Sequence, residues 1–161
     1  MKKTIACLLV TLCFGLFFAG TSGSLVNWKM NYSDGIDTAG KNGKNLFIMF
    51  YTDWCGYCRK MNKETFQDKT VADLINRNFT PVQVNCEKEK KTCDYYSING
   101  YPTIAFTDSK GKILRMAPGF LSPERMVPIL KFMDSGAYKD MDYATYIQKG
   151  YERSYRPSGG K

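Results

Sequence analysis

The apolar run Leu46-Phe47-Ile48-Met49-Phe50-Tyr51 stops at Trp54-Cys55-Gly56-Tyr57-Cys58, and a helical pattern begins directly after it. Six apolar residues without a polar break read as a strand covered on both faces, while Arg59 to Phe66 places Met61 and Phe66 on one side of an amphipathic helix. The two cysteines therefore fall where a buried strand turns into a helix. There the unpaired backbone N–H groups and the positive dipole end lower a thiol's pKa, which gives Cys55 the setting of a nucleophile. The i, i+3 spacing puts Cys58 on the same face.

Little else in the composition competes with thiol chemistry. Histidine is absent from all 161 residues, which excludes histidine triads, histidine metal ligands and a histidine general base. The formal net charge is +8, but the basic residues are spread without a long run or a nucleic-acid motif, so solvated faces are expected and no nucleic-acid partner. A chain of this length supports one core and one domain.

The first residues read as an export signal. Met1-Lys2-Lys3, the apolar stretch from Ile5 to Ala19 and the small residues Gly20 to Ser24 form a signal peptide over residues 1–23, cleaved near Gly23 or Ser24 and too short for a transmembrane helix. Cys7 and Cys13 belong to that leader. The four cysteines left are Cys55, Cys58, Cys86 and Cys93, an even count that points to two pairs in an oxidising compartment. For Cys86 and Cys93 three readings stand: a structural disulfide, favoured by compartment and loop closure; a second redox-active pair; or a zinc site shared with Cys55 and Cys58, which the Cys-x6-Cys spacing disfavours.

The remaining elements are placed by pattern. Residues 25–30 form an extended lead-in or short strand, and Ser33 to Ala39 a weak helix before the Asn42-Gly43 turn. Asp68 or Thr70 caps a helix with Val71, Leu74, Ile75 and Phe79 inward, and a strand over residues 79–85 confines Pro81 to its start. A short helix is expected near Asp94 to Ser97, then an antiparallel hairpin of Thr103–Thr107 and Lys112–Met116 across Asp108-Ser109-Lys110-Gly111. Ser122-Pro123-Glu124 opens a core helix, in which Pro128 imposes either a kink or a later start. Residues 138–155 read as a C-terminal helical extension that packs on the domain, with a tyrosine-rich partner surface as the alternative, and residues 156–161 as a disordered tail.

Strand, Trp54-Cys55-Gly56-Tyr57-Cys58, helix, strand, helix, then Gly100-Tyr101-Pro102-Thr103 opening a hairpin and a last helix resembles the thioredoxin superfamily. The match covers roughly residues 28 to 135, within a domain over 25–137. It implies an α/β thioredoxin fold, a central mixed sheet flanked by helices, with a cis-proline at Pro102 before the hairpin. Asp53 to Met61 with Glu64-Thr65-Phe66 looks most like exported bacterial thioredoxin-like thiol:disulfide interchange proteins.

That resemblance implies roles by position. Cys55 attacks and forms a mixed disulfide, Cys58 resolves it, Tyr101 and Pro102 meet an extended substrate segment, and Trp54 and Tyr57 shape the rim. It implies a periplasmic enzyme with no cofactor and no metal, whose partners are protein disulfides and a membrane electron donor of the disulfide-interchange type. Gly56-Tyr57 is similar to the dipeptide of the periplasmic disulfide isomerase, which carries a separate dimerisation domain. This chain has no room for one, so monomeric reduction is expected; isomerisation, oxidation and client binding without turnover are the alternatives. One departure stands out: where thioredoxins carry a buried aspartate and a nearby lysine, alignment places Met49 and Gln83. Glu64 and Asp53 are replacements only by closeness in sequence.

Overall fold

The computed structural model describes residues 24–153, so the expected leader and the tail lie outside the described residues. Four strands form one mixed sheet in the order β2-β1-β3-β4. β1 (Leu46–Tyr51) is central, parallel to β2 (Thr80–Asn85) and antiparallel to β3 (Thr103–Thr107), which pairs in turn with β4 (Ile113–Pro118). The unbroken apolar character of β1 follows from cover on both faces. Phe47 and Met49 join a core with helices α2 (Gly56–Glu64), α3 (Lys69–Asn78) and α5 (Pro123–Asp134). Leu46, Ile48 and Phe50 face a second core under α1 (Tyr32–Asn42) and α4 (Lys90–Tyr95).

Pro81 sits inside β2 without breaking the ladder. Thr80 N donates to Asn45 O at 2.9 Å and Cys86 N to Tyr51 O at 2.9 Å, so the even-numbered amides of β2 serve β1. The odd-numbered ones face the open edge, where Gln83 N donates to Lys29 O at 2.8 Å. A proline on that side removes no bond to the sheet. The lead-in is extended, with a single parallel bridge from Lys29 to Val82.

Local chemistry accounts for most helix ends. Asn31 caps α1, its side-chain oxygen accepting from Asp34 N at 2.8 Å, and Gly43 closes it in the left-handed region at φ 70°. Gly35 lets α1 lie close on β2, since a Cβ there would stand 2.4 Å from Val82 Cγ2. Asp68 caps α3 through Val71 N at 2.9 Å.

One helix departs from expectation, and α5 keeps the start expected at Ser122-Pro123-Glu124 and excludes the later one. α4 spans Lys90–Tyr95 rather than Asp94 to Ser97, because Cys93 is tied to Cys86 from within the helix and Lys90 pairs with Asp94 one turn on, at 3.1 Å. Ser97 then ends the segment at φ 52°. α5 starts at Pro123 and continues through Pro128. The carbonyl that Pro128 leaves without a helical donor is that of Glu124, an exposed residue, so the helix continues without burying an unpaired acceptor. Beyond α5, a 3-10 turn (Ala137–Lys139) leads to α6 (Tyr143–Gln148), whose Tyr146 is buried against Phe132 with ring centroids 5.1 Å apart. No helix among the described residues is long and apolar enough to cross a membrane.

Candidate active site

Cys55 is the N-cap of α2. Its sulfur accepts from Cys58 N at 3.0 Å, its carbonyl accepts from Arg59 N at 3.2 Å, and its own N–H donates to Thr52 O at 3.2 Å. The side chain thus takes the place of a capping oxygen, aimed at the amides of the first turn, where negative charge on sulfur is favoured. Cys55 and Cys58 form a disulfide with Cα atoms 5.2 Å apart. Both are nearly enclosed, Cys55 at 4% exposure and Cys58 at 1%.

Aromatic side chains frame this disulfide. Trp54 (67% exposed) stands edge-on to Tyr101, with centroids 5.8 Å apart, and the Tyr101–Pro102 peptide is cis. Tyr57 (64% exposed) lies 6.4 Å from the Phe120 ring, over which Lys60 Nζ sits at 4.8 Å. The expected rim residues Trp54, Tyr57, Tyr101 and Pro102 are therefore accompanied by Phe120 and Lys60. Lys60 lies within the cysteine motif's own stretch, but Phe120 carries no local signal, since it follows β4 and reaches Tyr57 only through the fold. A groove of about 400 Å³ beside the same loop is lined by Ile98, Gly100, Met116 and Pro118 among others.

Behind the disulfide lies a polar but uncharged layer. Met49 and Gln83 are cross-strand partners, and Gln83 Nε2 reaches Met49 Sδ at 3.7 Å and donates to Asn62 Oδ1 at 3.1 Å. Met49 and Gln83, the two positions that the resemblance singles out as departures, thus touch each other. Of the two sequence-adjacent carboxylates, Glu64 is exposed and pairs with Lys60 at 4.0 Å, while Asp53 accepts from Asn85 Nδ2 at 2.8 Å. Thr52 Oγ1 is buried without a hydrogen-bond partner. Tyr51, at the end of β1, has its phenol pushed up, first by burial and then by the Asp53 charge.

Cys86 and Cys93 form the second disulfide, with Cα atoms 5.7 Å apart. The four cysteines are two disulfides rather than a four-thiolate zinc set. The Asp53 N–H donates to Glu87 Oε2 at 2.7 Å, so the turn after Cys86 touches the active-site loop. Sequence reasoning passed over Glu87 and Asn85, because their partner lies more than thirty residues away.

A family model described as a thioredoxin-like domain matches residues 32–134. The chain belongs to that family. Cys55 and Cys58 are the CxxC pair within the matched domain. A protein disulfide-isomerase of Triticum aestivum is 28% identical over 127 residues, covering 74% of this chain and 24% of the relative. The thiol:disulfide interchange protein DsbD of Photorhabdus laumondii is 36% identical over 75 residues, 43% of this chain and 12% of the relative. The chain thus spans a quarter or less of the length of either. A thioredoxin from Thermus thermophilus superposes with a TM-score of 0.61 at 20% identity, over 67% of this chain and 86% of the other.

Proposed function

We propose that this protein is an exported, periplasmic thiol:disulfide oxidoreductase that reduces protein disulfides. The observation that carries the reading is the Cys55–Cys58 disulfide at the N-terminus of α2, framed by Trp54, Tyr57, Tyr101 and Pro102. In the reduced state the Cys55 thiolate, favoured by the helix end, attacks one sulfur of a substrate disulfide. A Cys55–substrate disulfide forms, and the first substrate sulfur leaves as a thiolate and takes a proton. Cys58 then loses its proton and attacks Cys55 Sγ, releasing the second substrate thiol and closing the Cys55–Cys58 bond. Two electrons pass from protein to substrate, and a dithiol donor must return them.

The similarity to DsbD, named a thiol:disulfide interchange protein, supports a membrane disulfide-interchange donor for that step, and the leader-like residues 1–23 support export. The similarity to protein disulfide-isomerase supports isomerisation as the second reading, since it shares the first step and differs in whether Cys58 closes the cycle. Purified protein with dithiothreitol is expected to reduce insulin, followed as turbidity, and Cys55→Ser to abolish the reaction. Activity retained in Cys55→Ser rejects the assigned nucleophile. Faster recovery of scrambled ribonuclease than of insulin reduction favours isomerisation.

A further inference from the structure

The turn after β2 reaches into the active-site loop, and the exchange chemistry above makes no use of it. Asn85 Nδ2 donates to Asp53 Oδ1 at 2.8 Å, Glu87 Oε2 accepts from Asp53 N at 2.7 Å, and Glu87 N donates to Asn85 Oδ1 at 2.9 Å. Asp53 stands two residues before Cys55. The turn is itself fastened at both ends. Cys86 N donates to Tyr51 O at 2.9 Å, and the Cys86–Cys93 disulfide ties the turn to α4. Cys93 O accepts from Ile98 N at 3.0 Å, at the start of the loop that runs to Tyr101–Pro102. The cross-link thus stands behind both walls of the site.

We propose that the Cys86–Cys93 disulfide is a positioning element for disulfide exchange: by fixing residues 85–89 it holds the Glu87 carboxylate on Asp53 N and so sets the proton affinity of Cys55. The proposal rests on the reading of Cys55 as the nucleophile. A carboxylate held near a thiol opposes the thiolate, against the pull of the α2 dipole. Arg59, which donates to Asp53 O at 2.9 Å, and Lys60 act in the thiolate's favour from α2. Of the other carboxylates, Asp53, bonded to Asn85, opposes the thiolate from within the Cys55 loop itself, whereas Glu64 pairs with Lys60 and Glu89 accepts from Tyr32 N at 3.1 Å. Tyr51, Tyr57 and Tyr101 complete the titratable surroundings. Glu87 is the acid that the cross-link holds to the Cys55 loop. A less stabilised thiolate makes the dithiol a stronger electron donor, the direction a reductase requires.

The test uses the full chain carrying Cys58→Ser, in which Cys55 is a free thiol and its reading is independent of turnover. Alkylation by iodoacetamide is followed against pH on the Cys55 peptide by mass spectrometry. Glu87→Ala is expected to lower the titration midpoint by about half a pH unit. Glu87→Gln, which keeps an acceptor but loses the charge, should reproduce that shift. Joint replacement Cys86→Ala and Cys93→Ala should lower the midpoint in the same direction, and adding Glu87→Ala to it should change nothing further.

An unmoved midpoint in Glu87→Ala or Glu87→Gln overturns the proposal, and so does full additivity with the loss of the cross-link. Should the protein without the cross-link fail to fold by circular dichroism, the two Glu87 variants decide alone. Insulin reduction is read separately in protein retaining Cys58. The midpoint shift without insulin reduction would reject the reductase reading and leave the positioning role standing.

Discussion

Met49 shares a core cluster with Cys58 and Met61 and is fully buried, with the Gln83 amide 3.7 Å from its sulfur. Among the described residues no carboxylate is buried in that layer to take the proton that Cys58 must lose before it attacks Cys55. Water or the leaving thiolate must accept it, which slows the resolving step near neutral pH. Met49→Asp places an acid there, with the Gln83 amide as a ready donor. Burial would push that carboxyl up toward the working pH, where it can accept a proton. The variant is expected to reduce insulin about tenfold faster at pH 7 while losing about 2 to 3 kcal/mol of stability in urea. A folded variant with an unchanged rate would remove proton handling as the limit on this site.

At the scale of elements, α6 is held by its core residue rather than by its length. Six residues are too few to be stable as a helix alone, yet Asp142 accepts from Thr145 N at 2.8 Å, and Tyr146 is 2% exposed against Phe132 of α5. Residues 138–153 lie past the matched family region and still supply core. Tyr146→Ala is therefore expected to cost about 3 kcal/mol in chemical denaturation, and a loss below about 1 kcal/mol would show that α6 is peripheral. Elements of this kind also mark how far the sequence could be read. The β1–α2 junction and the hairpin are legible because strand burial and turn chemistry act locally, whereas the cis Pro102 follows from the resemblance carried by Gly100-Tyr101-Pro102-Thr103. α4 was misplaced because its surface is polar, and Cys93 and Tyr96 anchor it only through distant partners. Glu87, Asn85 and Phe120 entered the site the same way, through contacts that no local periodicity encodes.

For the molecule as a whole, Tyr96 joins three parts of the chain. Its hydroxyl donates to Gly111 O at 2.8 Å in the hairpin turn and lies 2.7 Å from the Tyr32 hydroxyl of α1, while its ring packs on Phe50 of β1 at 5.3 Å. Gly111 leaves room for this, since at φ 87° a Cβ there would stand 2.4 Å from Tyr32 Oη. Burial pushes the Tyr96 phenol well above its ordinary value, with the Tyr32 hydrogen bond adding to the shift. A phenol raised on folding contributes its full stability below the unfolded-state pKa near 10 and loses it as pH rises, because the unfolded chain ionises first. Above that pH, Tyr96 is expected to remove about 1.4 kcal/mol of stability per pH unit. Tyr96→Phe should then cost about 1 kcal/mol at pH 7, through the lost hydrogen bonds, yet show a shallower decline between pH 10 and 11 in urea unfolding. Equal alkaline slopes in the two proteins would mean that the tie between α1, α4 and the hairpin opens before Tyr96 ionises.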